Sequence, residues 1–322
     1  MLLRKVKIRF IYSVDYIEES KIDVDLFKAA GAQVKVVNLT DIIEDGFYHA
    51  KLYIVDNRNV YFGSAKAKSS SFGSRYEVGV FIKNCSAIAS DALKIFDTYW
   101  IIDKTRNILP NFASSLQTAI NKENPLKLIL GTELTEVYIS TSPKLLNAKG
   151  RTNDIDAHLN VLNSANEFIY VAIQAYAPIF LYTKSNTFWP LIEDALKKAI
   201  INRNVTVRFI SSSSLKHNNT IAFLQSLNAL SKLHNFGSIE VRLMTALNNK
   251  EIIYESRHDL HEKFIVTDKH SLIGTSNWEA DYFYDDTGIS FVAYCPNNGT
   301  NIRTDLFKLF QRNWNSNYTF SL

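Results

Sequence analysis

His49, Lys51 and Asp56 in "HAKLYIVD" and His261, Lys263 and Asp268 in "HEKFIVTD" repeat one pattern, His-x-Lys-x4-Asp, in two distant parts of the chain. Each copy runs through a short apolar stretch into a small-residue turn, Gly63-Ser64 in "VYFGSAK" and Gly274-Thr275-Ser276-Asn277 in "SLIGTSN". The β-branched and aromatic residues of both segments predict a strand. Residues i and i+2 of a strand project to one side roughly 7 Å apart, so each copy would present an imidazole beside a fixed ammonium group. If the copies face each other, Lys51, Lys263 and the hydroxyls of Ser64 and Thr275 surround a phosphoryl group. One imidazole then attacks phosphorus while the other protonates the leaving oxygen, a phosphodiester cleavage through a phosphohistidine that calls for no metal and no cofactor.

These residues resemble the phospholipase D superfamily, whose signature is HxKxxxxD followed by Gly-Ser-x-Asn, duplicated to build one site. More narrowly, "RTNDIDAHLNVLNSANEFIYVAI", "FWPLIEDALKKA", "HEKFIVTDKHSLIGTSNW" and "WNSNYTFSL" look like the branch that holds poxvirus phospholipase-like and DNA nicking-joining proteins with their animal endolysosomal exonuclease relatives. The resemblance implies an α/β fold of two fused repeats, each a mixed sheet flanked by helices, forming a pseudo-twofold sandwich. It also implies His49 as nucleophile and His261 as general acid, a pairing that the pseudo-symmetry allows to be reversed. The second motif follows the family pattern throughout. The first keeps His, Lys and Asp but has Lys66 where the family Asn, matched here by Asn277, donates to the phosphate.

A histidine nucleophile needs an acceptor on its other ring nitrogen. Glu77 in "YEVG" stands where the family keeps its orienting Glu, and "YDDTG" offers Asp285 or Asp286, with Asp285 the better match. Asp56 and Asp268 complete the catalytic motif and, ending their strands, are expected to brace it. Trp278 and Tyr282 are candidates to wall the pocket.

The repetition extends beyond the motifs. "KIRFIYS" matches "TVRFISS", "GAQVKVVNL" matches "GSIEVRLM", and "EVGVFIKNC" matches "TGISFVAYC". "DALKIFDTYW" and "DLFKLFQRNW" predict an amphipathic helix closing each half. The expected organisation is an N-terminal repeat over 1–103, a Pro-containing connection over 104–150 with a possible strand "LKLIL", and a C-terminal repeat over 151–322. The second repeat has an additional unit before its "TVRFISS": a capped helix from Asp154, a strand at Phe168 to Ile173, and the helix in "FWPLIEDALKKAI". The first repeat lacks that unit and reads as incomplete at its start. The absent strand belongs beside the catalytic strand, so unpaired backbone groups and an exposed apolar face are expected there, filled by a second molecule unless the chain is a fragment.

The chain has 322 residues, 46% hydrophobic and 21% charged, enough for a large core. A net charge of +4 is compatible with an anionic substrate but too small to single out nucleic acid over phospholipid. Cys85 and Cys295 suggest neither a disulfide framework nor a zinc site. The longest apolar run, Phe168 to Tyr182, contains Gln174 and Pro178 and falls short of a membrane span. Together with the absence of a signal-peptide pattern, this points to the cytoplasm, of an infected host cell or a virion if the chain is viral. The main expectation is an active phosphodiesterase on nucleic acid or phospholipid, with peripheral membrane association and a homodimer both compatible. The alternative is a catalytically silent envelope or membrane-associated protein.

Overall fold

The computed structural model describes residues 6–102, 113–182, 187–214, 218–245, 259–297, 299 and 301–322. The N-terminal part runs β1 (Arg9–Ser13), α1 (Ile17–Ala29), β2 (Gln33–Val37), β3 (Leu52–Val55), β4 (Asn59–Gly63), α2 (Ser69–Gly73), β5 (Arg75–Tyr76), β6 (Gly79–Ile82) and α3 (Ser86–Ile101). The expected connection supplies β7 (Leu126–Leu130), which is the "LKLIL" segment, and β8 (Glu133–Ser142). Its residues 103–112 lie outside the described residues. There follow β9 (Thr152–Asn153), α4 (Asp154–Ser164), β10 (Phe168–Ile173), α5 (Leu191–Arg203), β11 (Thr206–Ser212), α6 (Asn218–Ala229), β12 (Ile239–Met244), β13 (Asp259–Leu260), β14 (Lys263–Thr267), β15 (His270–Gly274), α7 (Asp281–Tyr284), β16 (Gly288–Tyr294), α8 (Ile302–Trp314) and β17 (Thr319–Ser321).

Two sheets face each other. The larger has the order β17-β12-β11-β10-β14-β15-β16-β8-β7, with β9 on β8, and the smaller is β3-β4-β6. Along β16 the side chains alternate: Ile289, Phe291 and Ala293 enter the layer between the sheets, while Val292 joins the core on the other face. The inter-sheet layer also takes Val60, Phe62 and Ile82 from the smaller sheet, and Phe62 stacks on Phe291 with centroids 5.6 Å apart. The helices "DALKIFDTYW" and "DLFKLFQRNW" form as α3 and α8. Helix α8 lays Leu306, Phe310 and Trp314, four residues apart, against Tyr170 and Phe264, and Asn301 and Thr304 form its capping box. At α4 the expected cap differs: the N-cap is Asn153, without a side-chain bond, while Asp154 is buried and accepts from Ser140 Oγ at 2.7 Å.

The two halves differ in how their strands pair. Strand β10 pairs with β11 in parallel and with β14 antiparallel, joining the C-terminal half into one sheet. In the N-terminal half, among the described residues, β1 pairs only with β2, and β3 only with β4, so the sheet is split at the corresponding place. Among the described residues nothing before β1 corresponds to α4, β10 and α5. Ile265 and Val292 share the core of Ile155, Val161 and Leu162 from α4, whereas their counterparts Tyr53 and Phe81 are 38% and 53% exposed. Strand β3, open along one edge, is therefore expected to exchange its amide hydrogens about tenfold faster or more than β14, paired on both sides. Hydrogen exchange read by mass spectrometry on peptides spanning each strand checks this; equal protection would mean the edge is covered in solution.

The connection is pinned by a buried ion pair. Arg151 donates to both carboxylate oxygens of Asp91 on α3, at 2.6 and 3.0 Å, with both side chains almost wholly buried. Thr118 Oγ1 donates to the same carboxylate. Asp91→Ala leaves a buried guanidinium uncompensated and should cost roughly 3–5 kcal/mol, measured by urea unfolding.

Candidate active site

The two histidines lie three and two residues before the strands they were expected to occupy. β3 begins at Leu52 and β14 at Lys263, so His49 and His261 sit in the segments leading into them. The reason is cross-half hydrogen bonding, which takes their amides away from the β3 and β14 ladders. His49 N donates to Thr287 Oγ1 at 2.8 Å, and His261 N donates to the Tyr76 carbonyl at 2.9 Å. Beside these contacts β13 pairs with β5, and Thr287 N donates to the Phe47 carbonyl while Phe47 N donates to Asp286. Each half thus holds the histidine of the other.

Both lysines fold back in the same way, Lys51 Nζ donating to the His49 carbonyl and Lys263 Nζ to the His261 carbonyl at 2.9 Å. His49, Lys51, His261 and Lys263 are all buried. Burial first, and then the mutual field of the ammonium groups including Lys66, pushes both histidines well below their ordinary range and Lys51 well below its own. Burial lowers Lys263 to about 7, against the opposing field of Glu77 and Asp259.

The pocket is asymmetric. Glu77 Oε2 lies 2.8 Å from His261 Nδ1; a carboxylate accepts, so the proton is on Nδ1 and Nε2 carries the free lone pair. Glu77 also accepts from Ser64 Oγ at 2.5 Å and Ser71 Oγ at 2.7 Å. His49 Nδ1 is buried without a hydrogen-bond partner. Asp285, the expected second carboxylate, closes α7 and does not hold it, and Asp286 accepts from Phe47 N, with burial raising its pKa to about 8. The register explains the difference. Gly63 pairs with Gly79 and Gly274 with Ser290, so Gly288 is the counterpart of Glu77, one residue beyond Thr287 in the sequence match. A Cβ at Gly288 would meet Ser276 Oγ at 2.4 Å and Ser142 Oγ at 2.5 Å, which leaves no room for a side chain.

Other expected residues take different positions. Asp56 and Asp268, grouped with the catalytic motif, stand away from the His-Lys pairs: five residues of strand carry them roughly 16 Å from their lysines. Asp56 and Asn57, both at positive φ, form the exposed β3–β4 turn, and Asp268 accepts from Asn166 N and Glu167 N. Ser64 directs its hydroxyl proton to Glu77 instead of the cavity, and Thr275 Oγ1 accepts from Ile289 N. Asn277 Nδ2 donates to Tyr282 OH at 3.2 Å, and Lys66 Nζ donates to Tyr16 OH at 2.9 Å. Tyr282 does wall the pocket, its ring edge-on to His49 at 5.1 Å, whereas Trp278 belongs to the core. Gln174, read from sequence only as a break in an apolar run, accepts from Lys263 Nζ at 3.1 Å and donates to Asp259 at 2.8 Å. A polar residue directly after a buried strand was the available signal. Lys51 Nζ donates to the His49 carbonyl, and no corresponding side-chain amide stands against it among the described residues. Among the described residues no group of three or more His, Cys, Asp or Glu could hold a metal ion.

A family model described as "PLD3/4, PLD-like domain" matches residues 2–248, which hold the first His-Lys pair. The chain belongs to this PLD3/4 family of PLD-like proteins. It is 36% identical over 306 residues to the 5'-3' exonuclease PLD3 of Xenopus laevis, covering 93% of this chain and 62% of the relative. With the 5'-3' exonuclease PLD4 of Mus musculus it shares 33% over 330 residues, covering all of this chain and 65% of that one. The chain therefore spans somewhat under two thirds of the length of these relatives. Phosphatidylserine synthase of Haemophilus influenzae shares the fold, with a TM-score of 0.62 at 11% identity over 95% of this chain and 70% of that one. No helix among the described residues is long and apolar enough to cross a membrane.

Because Lys263 titrates near 7, its ammonium group is lost as the pH rises through that value, and anion affinity should fall with it, by up to about tenfold per pH unit. Calorimetric titration with sulfate, whose charge is constant from about pH 6 to about pH 9, checks the sign. An affinity that is flat or rises over that range would contradict the assignment.

Proposed function

We propose that the chain is a metal-independent phosphodiesterase that cleaves nucleic acid strands through a phosphohistidine. The observation that carries this is the Glu77–His261 hydrogen bond inside a pocket flanked by Lys51 and Lys263. Nucleic acid is favoured over phospholipid because the exonuclease relatives are similar in sequence, whereas the phosphatidylserine synthase shares the fold alone.

The roles follow from the asymmetry. With Nδ1–H donated to Glu77, His261 Nε2 attacks phosphorus; the bond from phosphorus to the leaving oxygen breaks, and the proton for that oxygen comes from His49. This reverses the assignment implied by resemblance. An empty pocket keeps His49 neutral, but an entering phosphate anion offsets the neighbouring ammonium groups and favours its protonated form. After transfer, neutral His49 takes a proton from water, whose oxygen attacks phosphorus, and the P–N bond to His261 breaks. Lys51 and Lys263 hold the phosphoryl oxygens as charge moves onto them.

The experiment is rapid quenching with a nitrophenyl ester of thymidine phosphate, whose leaving group needs no acid. His49→Ala should accumulate phosphorylated enzyme, with the modification on the peptide containing His261. His261→Ala should form none and lose about a thousandfold or more in turnover. Label on His49 instead would restore the opposite roles. Failure of the unaltered, folded protein to cleave single-stranded DNA would remove the enzyme reading, and cleavage of phosphatidylcholine alone would change its substrate.

A further inference from the structure

Lys66 occupies the position of Asn277 in the other half, and each donates to a tyrosine hydroxyl. The two pairs differ in depth. Asn277 is buried and its partner Tyr282, half-buried, lies against His49, whereas both Lys66 and Tyr16 are half-buried. Tyr16, in the turn between β1 and α1, takes the ammonium group on its hydroxyl and beneath it on its ring, 4.8 Å from the centroid. Tyr16 packs edge-on against Phe47 at 5.7 Å, and Phe47 lies 5.8 Å from the His49 ring. The Lys66 charge is also felt by His49, Lys51, His261 and Lys263 alike, so it stands beside the pocket and not on a remote surface.

A phosphodiester carries one negative charge, and the buried Lys51 and Lys263 already face it. A third ammonium group at the mouth, fixed by Tyr16 rather than by a carboxylate, is matched by a second anion of the substrate. In a nucleic acid strand the next phosphate supplies it; a choline phospholipid would place a cation there. We infer that Lys66, positioned by Tyr16, forms a subsite for the phosphate that flanks the scissile one. This rests on the proposed phosphodiesterase reading, and it shifts Lys66 from a stand-in for the family Asn to a specificity-determining residue.

The test compares thymidylyl-thymidine, which has a single phosphodiester, with the same dinucleotide carrying a terminal 5′ or 3′ phosphate. At least one phosphorylated form should be cleaved with about tenfold higher kcat/KM. Lys66→Asn should bring that ratio to within about twofold of unity, Lys66→Arg should retain it, and Tyr16→Phe should lower it in part. A ratio near unity in the unaltered protein, or one unchanged in Lys66→Asn, overturns the subsite. If the unaltered protein cleaves none of the three, the phosphodiesterase reading fails, and the subsite is judged by calorimetric affinities for the same ligands. A selective loss of affinity for a phosphorylated form in Lys66→Asn supports it; an equal loss for all three means that Lys66 serves the scissile position only.

Discussion

The hydrogen bond from His261 to Glu77 crosses between the two halves of the molecule, and much of the site is built around it. Glu77 sits just before β6 of the smaller sheet, and His261 leads into β14 of the larger. The backbone reinforces the exchange, with His261 N on the Tyr76 carbonyl and His49 N on Thr287. A carboxylate and an imidazole from separate sheets can be held this closely only if the sheets themselves are fixed, which is what the shared layer of Phe62, Ile289 and Phe291 provides. Packing, register and chemistry are coupled here: a slip of one residue in either β4–β6 or β15–β16 would turn its side chains to the other face.

Burying two lysines and two histidines together is unfavourable without an anion, and the pKa directions record that cost. Every one of the four is pushed toward its neutral form by desolvation first; neighbouring cations come second for His49, Lys51 and His261, whereas Glu77 and Asp259 oppose the shift at Lys263. A bound anion would offset that cost by favouring the charged forms of the lysines and histidines, so burial couples anion binding to proton uptake; in the proposed mechanism this coupling readies the leaving-group acid.

The halves have diverged in ways that assign unequal roles. The C-terminal half carries α4, β10 and α5, and with them Gln174 on Lys263 and Asp259 behind Gln174. The N-terminal half has a split sheet, an open β3 edge and exposed Tyr53 and Phe81, yet it alone supplies an orienting carboxylate, since Gly288 fills the matching place in the other half. A pseudo-symmetric fold thus yields a directional site. Lys66 adds to the asymmetry by placing a charge where the second half has a neutral amide.

Local pattern carried a great deal. The doubled His-Lys motif, the strand at Phe168 to Ile173 and the closing helices were all readable, because period-two and period-3.6 patterning and internal repetition are properties of short segments. Asp285 read as the partner for a histidine, because spacing along a chain does not say which side chains of a turn face the site. The cross-half choice of Glu77 for His261, the unpartnered His49, the tether of Lys66 to Tyr16 and the role of Gln174 depend on distances between residues far apart in sequence. Types and periodicities set which groups could react; the packing of one sheet on the other decided which of them meet.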